Sequence, residues 1–315
     1  MNRILSLTAA VLISIAAVAQ SQVKVSAKYA KGDFAVYDVE QQIETTSQTA
    51  GLSQKTNFTG QVKFDVIGVQ NDGYTLAINV QKWDNTDGDS NDLTSTIASI
   101  NYKMLTGIQL IVRTDNDGKL LHLENYEEVK EKSNVFIDKL FNEIAKGDNE
   151  QEPMVINTIK ERLGKQLTEE ATLEIIRQAA NHLSLYGKTL ANGTMEDEEL
   201  NEMKFKTTYI VTTPQDKGAY NIKSSAVGNM NEDEIANLII KQVEKMMPEQ
   251  ADMIKQNIDM LKGSGLLKID LSKQCSFGFN QKGWLLNSES ELKVSQMATE
   301  TITTSKWKLK DSNWK

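Results

Sequence analysis

From Val23 to Glu124 apolar and polar residues alternate with period two, rich in Val, Ile, Thr, Tyr and Phe and interrupted by Asn, Asp and Gly. Alternation lets a strand bury one face and wet the other, so the segment predicts a run of antiparallel strands. The clearest hairpin runs from Val62 to Val69, turns at Asn71-Asp72-Gly73 and returns from Tyr74 to Val80. A three-residue loop with a left-handed Gly73 would set Val66 opposite Ile78 and Phe64 opposite Val80, with Lys63, Asp65, Asn79 and Gln81 facing water. A second hairpin, Ile108 to Thr114 returning over Lys119 to Leu123 through Asp117-Gly118, pairs Val112 with Leu123 and Arg113 with a solvated His122.

At Asn125 the period changes to that of a helix. Asn125 is the expected N-cap and Glu128 its capping-box partner; the apolar stripe is Val129, Phe136, Leu140 and Ile144, and Gly147 closes the helix. Pro153 and Gly164 frame a second, short helix, and Thr168 to Tyr186, closed by Gly187, a third. Strands resume at Met203 to Val211 and Gly218 to Ile222. Asn231 and Glu234 form another capping box, with Met230 and Ile235 as a hydrophobic staple and a stripe at Ile235, Ile239, Val243 and Met246 or Met247. Pro248 should break that helix, and its continuation holds Ile254, Ile258 and Leu261 before Gly263. Strands close the chain at Leu266 to Phe279, Trp284 to Val294 and Thr299 to Leu309. In order, strands at 22–124, helices at 125–187, strands at 203–226, helices at 231–262 and strands at 264–311 make residues 20–315 a single α+β domain. It is a long, strand-rich antiparallel sheet with helices packed on one side.

Ahead of this pattern, Arg3 precedes an apolar stretch from Ile4 to Ala19, and small residues Ala17 and Ala19 stand three and one positions before Gln20. Such a stretch is short for a membrane span and suits a cleavable secretory leader over residues 1–19, cut after Ala19. The chain is then exported, to the periplasm or beyond, with no membrane span in its mature form. Lipid anchoring would need a cysteine at the cut, and the one cysteine is Cys275. Removing Arg3 with the leader leaves 34 of the 35 basic residues against all 43 acidic ones, moving the net charge from −8 to −9. That balance repels phosphate backbones and anionic head groups, which argues against nucleic acid as a partner. A lone cysteine allows no internal disulfide, and in the alternating run around it Cys275 reads as a buried strand thiol.

Candidate chemistry is sparse. Asp115-Asn116-Asp117-Gly118 with Glu124 resembles part of a calcium loop, yet Arg113 stands at its first ligand position, so a hairpin turn is the better reading. The acidic loop Asp84, Asp87, Asp89 and Asp92 is a calcium candidate, though Asp92 occupies the position that needs glycine and Ala98 the one that needs a bidentate glutamate; a solvated turn is favoured. Gly187-Lys188-Thr189 lacks the leading glycine of a phosphate loop, having His182 there. The two histidines, His122 and His182, stand in no metal-binding spacing, and no Gly-x-Ser-x-Gly elbow exists. His182 sits at the margin of the stripe Ile175, Ala179, Leu183 and Tyr186, as a structural histidine would. The cluster Met230, Met246, Met247, Met253 and Met260 fits core filling, and could also line an adaptable apolar pocket. No cofactor is implied.

Gly32-Asp33-Phe34-Ala35-Val36-Tyr37, the hairpin from Phe64 to Val80, and the strand Ile108 to Val112 running into Asp115-Asn116-Asp117-Gly118-Lys119 resemble uncharacterised exported proteins of Bacteroidota. These are similar in outline to the half-barrel of periplasmic lipoprotein carriers, over about the first 125 residues. The resemblance implies a curved sheet closed by helices over an apolar cavity. The leading expectation is a non-enzymatic envelope protein binding a lipid or other apolar or amphipathic small molecule, with Phe64, Val66, Ile78, Val80, Met246, Met247 and Met253 lining the cavity. An interaction module of an envelope or surface complex is the alternative, and a hydrolase with carboxylates converging from distant segments the third.

Overall fold

The computed structural model describes residues 22–47, 51–86, 102–144, 167–200, 203–213, 218–246, 252, 255–258, 262, 267–296 and 298–314. The leader, the helix framed by Pro153 and Gly164, the break at Pro248, Asp87, Asp89, Asp92, Met247, Met253 and Met260 lie outside them.

The strands are β1 (Val23–Lys24), β2 (Phe34–Ser47), β3 (Leu52–Gln70), β4 (Gly73–Asn85), β5 (Gln109–Thr114), β6 (Leu120–Leu123), β7 (Thr189–Leu190), β8 (Met195–Leu200), β9 (Met203–Thr212), β10 (Tyr220–Met230), β11 (Ile269–Phe279), β12 (Leu285–Gln296) and β13 (Thr299–Ser312). The helices are α1 (Tyr126–Ile144), α2 (Glu169–Ala179) and α3 (Glu232–Met246). Eleven strands form one open, curved antiparallel sheet in the order β6-β5-β4-β3-β2-β13-β12-β11-β10-β9-β8, while β1 pairs with β7 separately. The centre of the sheet is thus the pairing of β2 with β13, the first long strand with the last. The α+β class is as the periodicity implies, and the curved sheet is as the resemblance implies.

The first hairpin differs in register. Its turn is the two residues Asn71 and Asp72, the ladder closes at Gln70 opposite Gly73, and a bulge falls between Val66 and Gly68. Phe64 therefore faces Ile78, Val66 faces Leu76 and Val62 faces Val80. The slip is two residues, so every side chain keeps its face. Gly73 opens β4 instead of completing the loop, and it must be glycine because a Cβ there would stand 1.9 Å from the Thr114 carbonyl oxygen. The second hairpin keeps the expected register, Val112 opposite Leu123 and Arg113 opposite an exposed His122.

At Asn125 the side chain ties α1 to the sheet. Its Oδ1 accepts from the Ile111 N–H at 2.9 Å and its Nδ2 donates to the Gln109 carbonyl at 2.8 Å and to Glu128 at 3.1 Å. The α1 stripe that is fully buried is Val129, Ser133 and Ile137, with Phe136 and Leu140 at its edge. The expected helix over 168–186 is in two parts: α2, N-capped by the Thr168 hydroxyl accepting from Ala171 N–H, and a 3-10 turn over Asn181–Leu185 that ends before Gly187 at φ +85°. The Asn231–Glu234 capping box is complete, with Asn231 N–H donating to Glu234 at 2.9 Å and Glu234 N–H to Asn231 Oδ1 at 3.0 Å.

Strand pairing carries one face across the sheet, and the helices cover that face in two places. The larger core joins Tyr37, Phe64, Val66, Ile78, Val80 and Trp307 to Val129, Leu173, Ile176 and Leu183. A smaller one gathers Met203, Met230, Leu267 and Leu271 under Ile235 and Ala236 of α3. Met230 and Ile235 thus share a cluster, as the staple requires. Among the described residues no helix is long and apolar enough to cross a membrane.

Candidate ligand groove

Between the two cores the covered face of the sheet mixes polar with apolar residues. The base row, Val211, Ile222, Phe277, Ser288, Trp307 and Val39 across successive strands, is mostly apolar. The next row reads Tyr209, Ser224, Cys275, Ser290, Ser305 and Gln41, and the one after it Thr207, Ala226, Lys273, Leu292, Thr303 and Ile43. Apolar residues return at Phe205, Leu271 and Val294. Inward positions of a strand normally carry apolar side chains, so Ser224, Ser290, Ser305, Gln41, Thr207, Lys273 and Thr303 within these two mixed rows leave a band that no helix can cover with apolar surface alone.

Over this band lies a groove of about 470 Å³, with Gln41, Lys273, Ser290, Leu292, Thr303 and Ser305 on its sheet side. Glu174, Arg177, Gln178 and Ala179 of α2, with Asn181 and Ser184 of the 3-10 turn, form the opposite wall, and Tyr102, Glu198 and Phe205 complete it. The volume falls within the range of small-molecule sites, about 300–1,000 Å³. Glu291 also borders the groove, although strand alternation turns it with Gln274 and Thr304 to the other face.

His182 holds the helical wall in place. Its ring is buried against Trp307, Phe64 and Tyr37, with centroid separations of 5.5, 6.1 and 6.3 Å. Burial lowers its pKa to about 3, so the ring is neutral, and its Nδ1 has no hydrogen-bond partner among the described residues. Tyr102 fixes the end of α2 by donating to the Ala179 carbonyl at 2.7 Å while stacking on Trp83.

The charges along the groove are mostly paired. Arg177 bridges Glu170 at 2.8 Å and Glu174 at 3.3 Å. Glu198 receives Tyr209 OH at 2.8 Å, Thr207 Oγ1 at 3.0 Å and Lys188 Nζ at 3.1 Å. Burial by itself would raise the Glu198 carboxyl, but Tyr209 and Lys188 more than offset it and hold it below the usual range. Burial pushes the Cys275 thiol up; the group is enclosed beneath the groove floor, with Asn181 Nδ2 at 3.9 Å from its sulfur. Two polar atoms are left over: Gln41 Oε1 and Ser305 Oγ are buried and have no hydrogen-bond partner among the described residues.

The residues singled out from the sequence fall elsewhere. Phe64, Val66, Ile78 and Val80 pack in the larger core and line none of the pockets described. Met246 is the last residue of α3. Asp84 lies near the end of β4, paired with Lys82 at 2.7 Å. No three His, Cys, Asp or Glu side chains converge as metal ligands among the described residues. Asp115 organises its turn by accepting from the N–H groups of Asp117 and Lys119. Lys188, after Gly187, points its ammonium at Glu196 and Glu198. Gln41, Lys273, Ser290 and Ser305 were not singled out; the signal available was polar residues at inward positions.

No protein-family model matches the sequence, and no curated protein matches it. Among solved structures the chain is similar to one described as "Lipid-protein interactions in lipovitellin", at 11% identity and a TM-score of 0.42, over 90% of this chain and 26% of that one. The chain therefore spans about a quarter of that neighbour's length.

Proposed function

We propose that this is a non-enzymatic binding or carrier protein that works outside the cytoplasm and holds an amphipathic small molecule in the groove between the sheet and α2. The observation that carries the reading is the groove itself, with Gln41 Oε1 and Ser305 Oγ buried at its floor and unpaired. A buried polar atom left unsatisfied costs about 1–3 kcal/mol, so a pair of them beside a ligand-sized space marks where a bound molecule's polar end would be stabilised. Phe205 and Leu292 supply an apolar wall on the side of the smaller core. The titratable groups of the site favour binding over chemistry: His182 is neutral and enclosed, Cys275 is held protonated, and Glu198 is locked to Lys188 and Tyr209. None is poised near neutral pH as a general acid or base would be. Export is supported by the apolar stretch up to Ala19 with its small residues before Gln20.

The test is native mass spectrometry of the protein purified from its own host, followed by denaturation and organic extraction. A stoichiometric adduct that is lost on denaturation and recovered as an amphiphile is the expected result. An unadducted mass, with no binding of added amphiphiles, would overturn the reading.

A further inference from the structure

The groove has one cation to spare. Arg177 is engaged by Glu170 and Glu174, and Lys188 by Glu196 and Glu198. Lys273, half-buried on the groove floor, has no ion-pair or hydrogen-bond partner among the described residues. Its neighbours along the row are Ala226 on β10 and Leu292 on β12, neither of which can pair with it. An ammonium held at an inward sheet position pays part of its desolvation without a counter-charge, an arrangement that costs stability unless an anion meets it.

Resting on the groove reading above, we infer that the site selects anionic amphiphiles, a carboxylate or phosphate carried on an alkyl chain, with Lys273 Nζ as the partner of the anion. The polar end spans the floor from Lys273 on β11 toward Gln41, three strands away on β2, where a hydroxyl or N–H on the far side of the head group would donate to Gln41 Oε1. Ser305 Oγ can donate to the anion itself. The chain extends along Phe205 and Leu292, and Leu292 packs against the smaller core of Leu271, Met230 and Ile235. Of the carboxylates bordering the groove, Glu174 and Glu198 each hold a cation, shared with Glu170 and Glu196 respectively, and Glu291 is turned to the other face of the sheet, which leaves Lys273 as the cation that can meet the ligand's anion. The overall negative charge of the chain makes this local cation the selective feature: it admits an anion where the rest of the surface disfavours one.

The experiment titrates the full chain, by calorimetry below the micelle concentration, with decyl phosphate, decanol and inorganic phosphate. Decyl phosphate should bind, decanol about tenfold or more weakly, and inorganic phosphate not at all, since a charge-assisted bond contributes about 1.5–3 kcal/mol and a tail is needed for the rest. In Lys273→Met, which keeps the apolar stem, decyl phosphate should weaken by about tenfold to a hundredfold while decanol is unchanged. Lys273→Arg should restore most of the loss and guards against a folding defect in the first variant. Equal binding of decyl phosphate to the wild type and Lys273→Met would overturn the role of Lys273 and leave the groove reading intact. Failure of both decyl compounds to bind would overturn both. Tight binding of inorganic phosphate would overturn the need for a tail and identify a free-anion site.

Discussion

Lowering the pH from 7.5 to 5 should destabilise the fold through His182. The imidazole is enclosed by Trp307, Phe64 and Tyr37, and burial brings its pKa from 6.5 in the open chain to about 3 in the folded one. Between those values the unfolded state binds the proton and the folded state does not, so the stability due to neutral His182 is complete above pH 6.5 and declines as pH falls toward 3. At pH 5 the gap from 6.5 is worth about 2 kcal/mol, at 1.36 kcal/mol per unit. Urea unfolding followed by tryptophan fluorescence, with Trp307 against the imidazole as a native reporter, measures this at both pH values. Carboxylates titrate in the same window, so the comparison is with His182→Leu, in which the pH-dependent loss should shrink by about 2 kcal/mol. At pH 7.5 that variant should lie within about 1 kcal/mol of wild type, because the ring's unpaired Nδ1 leaves with it. His122→Gln, at the exposed position opposite Arg113, should change neither number. An equal acid loss in wild type and His182→Leu would refute the reasoning.

Gly73→Ala should cost about 2 kcal/mol or more in the same assay, since its Cβ would collide with the Thr114 carbonyl at 1.9 Å and only backbone movement relieves it. Tyr186→Phe removes a hydroxyl that donates to the Gly283 carbonyl at 2.6 Å and accepts from Tyr29 at 2.7 Å; leaving Tyr29 OH buried without its acceptor should lower the urea midpoint by the equivalent of about 1–3 kcal/mol. Asn231→Ala deletes the cap of α3 at a cost of about 1 kcal/mol, visible as faster amide hydrogen exchange in Glu234 to Ala236 with the rest of the sheet unaffected.

Local chemistry was legible in the sequence wherever neighbours decide the outcome. The Asn231–Glu234 box and the Arg113–His122 pairing are set by residues a few positions apart, and both form as the spacing implies. The Val62–Val80 hairpin slipped because its ends answer to distant partners: Val66, beside the bulge, exchanges backbone hydrogen bonds with Gly32 and Asp33, and Gly73, beside the two-residue turn, packs on the Thr114 carbonyl. Strand β8 escaped because Glu196, Asp197, Glu198 and Glu199 give no apolar alternation; its strand character comes from β9 beside it, and its charges suit an unpaired edge. The groove was hidden for a different reason. Gln41, Ser305, Ser290 and Lys273 come together only through the β2–β13, β13–β12 and β12–β11 pairings, and a serine in a strand is unremarkable until its face is known. Phe64, Val66, Ile78 and Val80 face inward as strand alternation implies, in one buried cluster with His182 against Phe64 and with Leu183 of the 3-10 turn.

The most direct test of a ligand in the groove is native mass spectrometry of the wild-type protein beside Ser305→Trp, whose indole would fill the floor between Gln41 and Ser290. The account predicts a stoichiometric amphiphile on the wild type and none on a variant that remains folded by circular dichroism. The same adduct on both proteins, or no adduct and no amphiphile uptake by either, would contradict it.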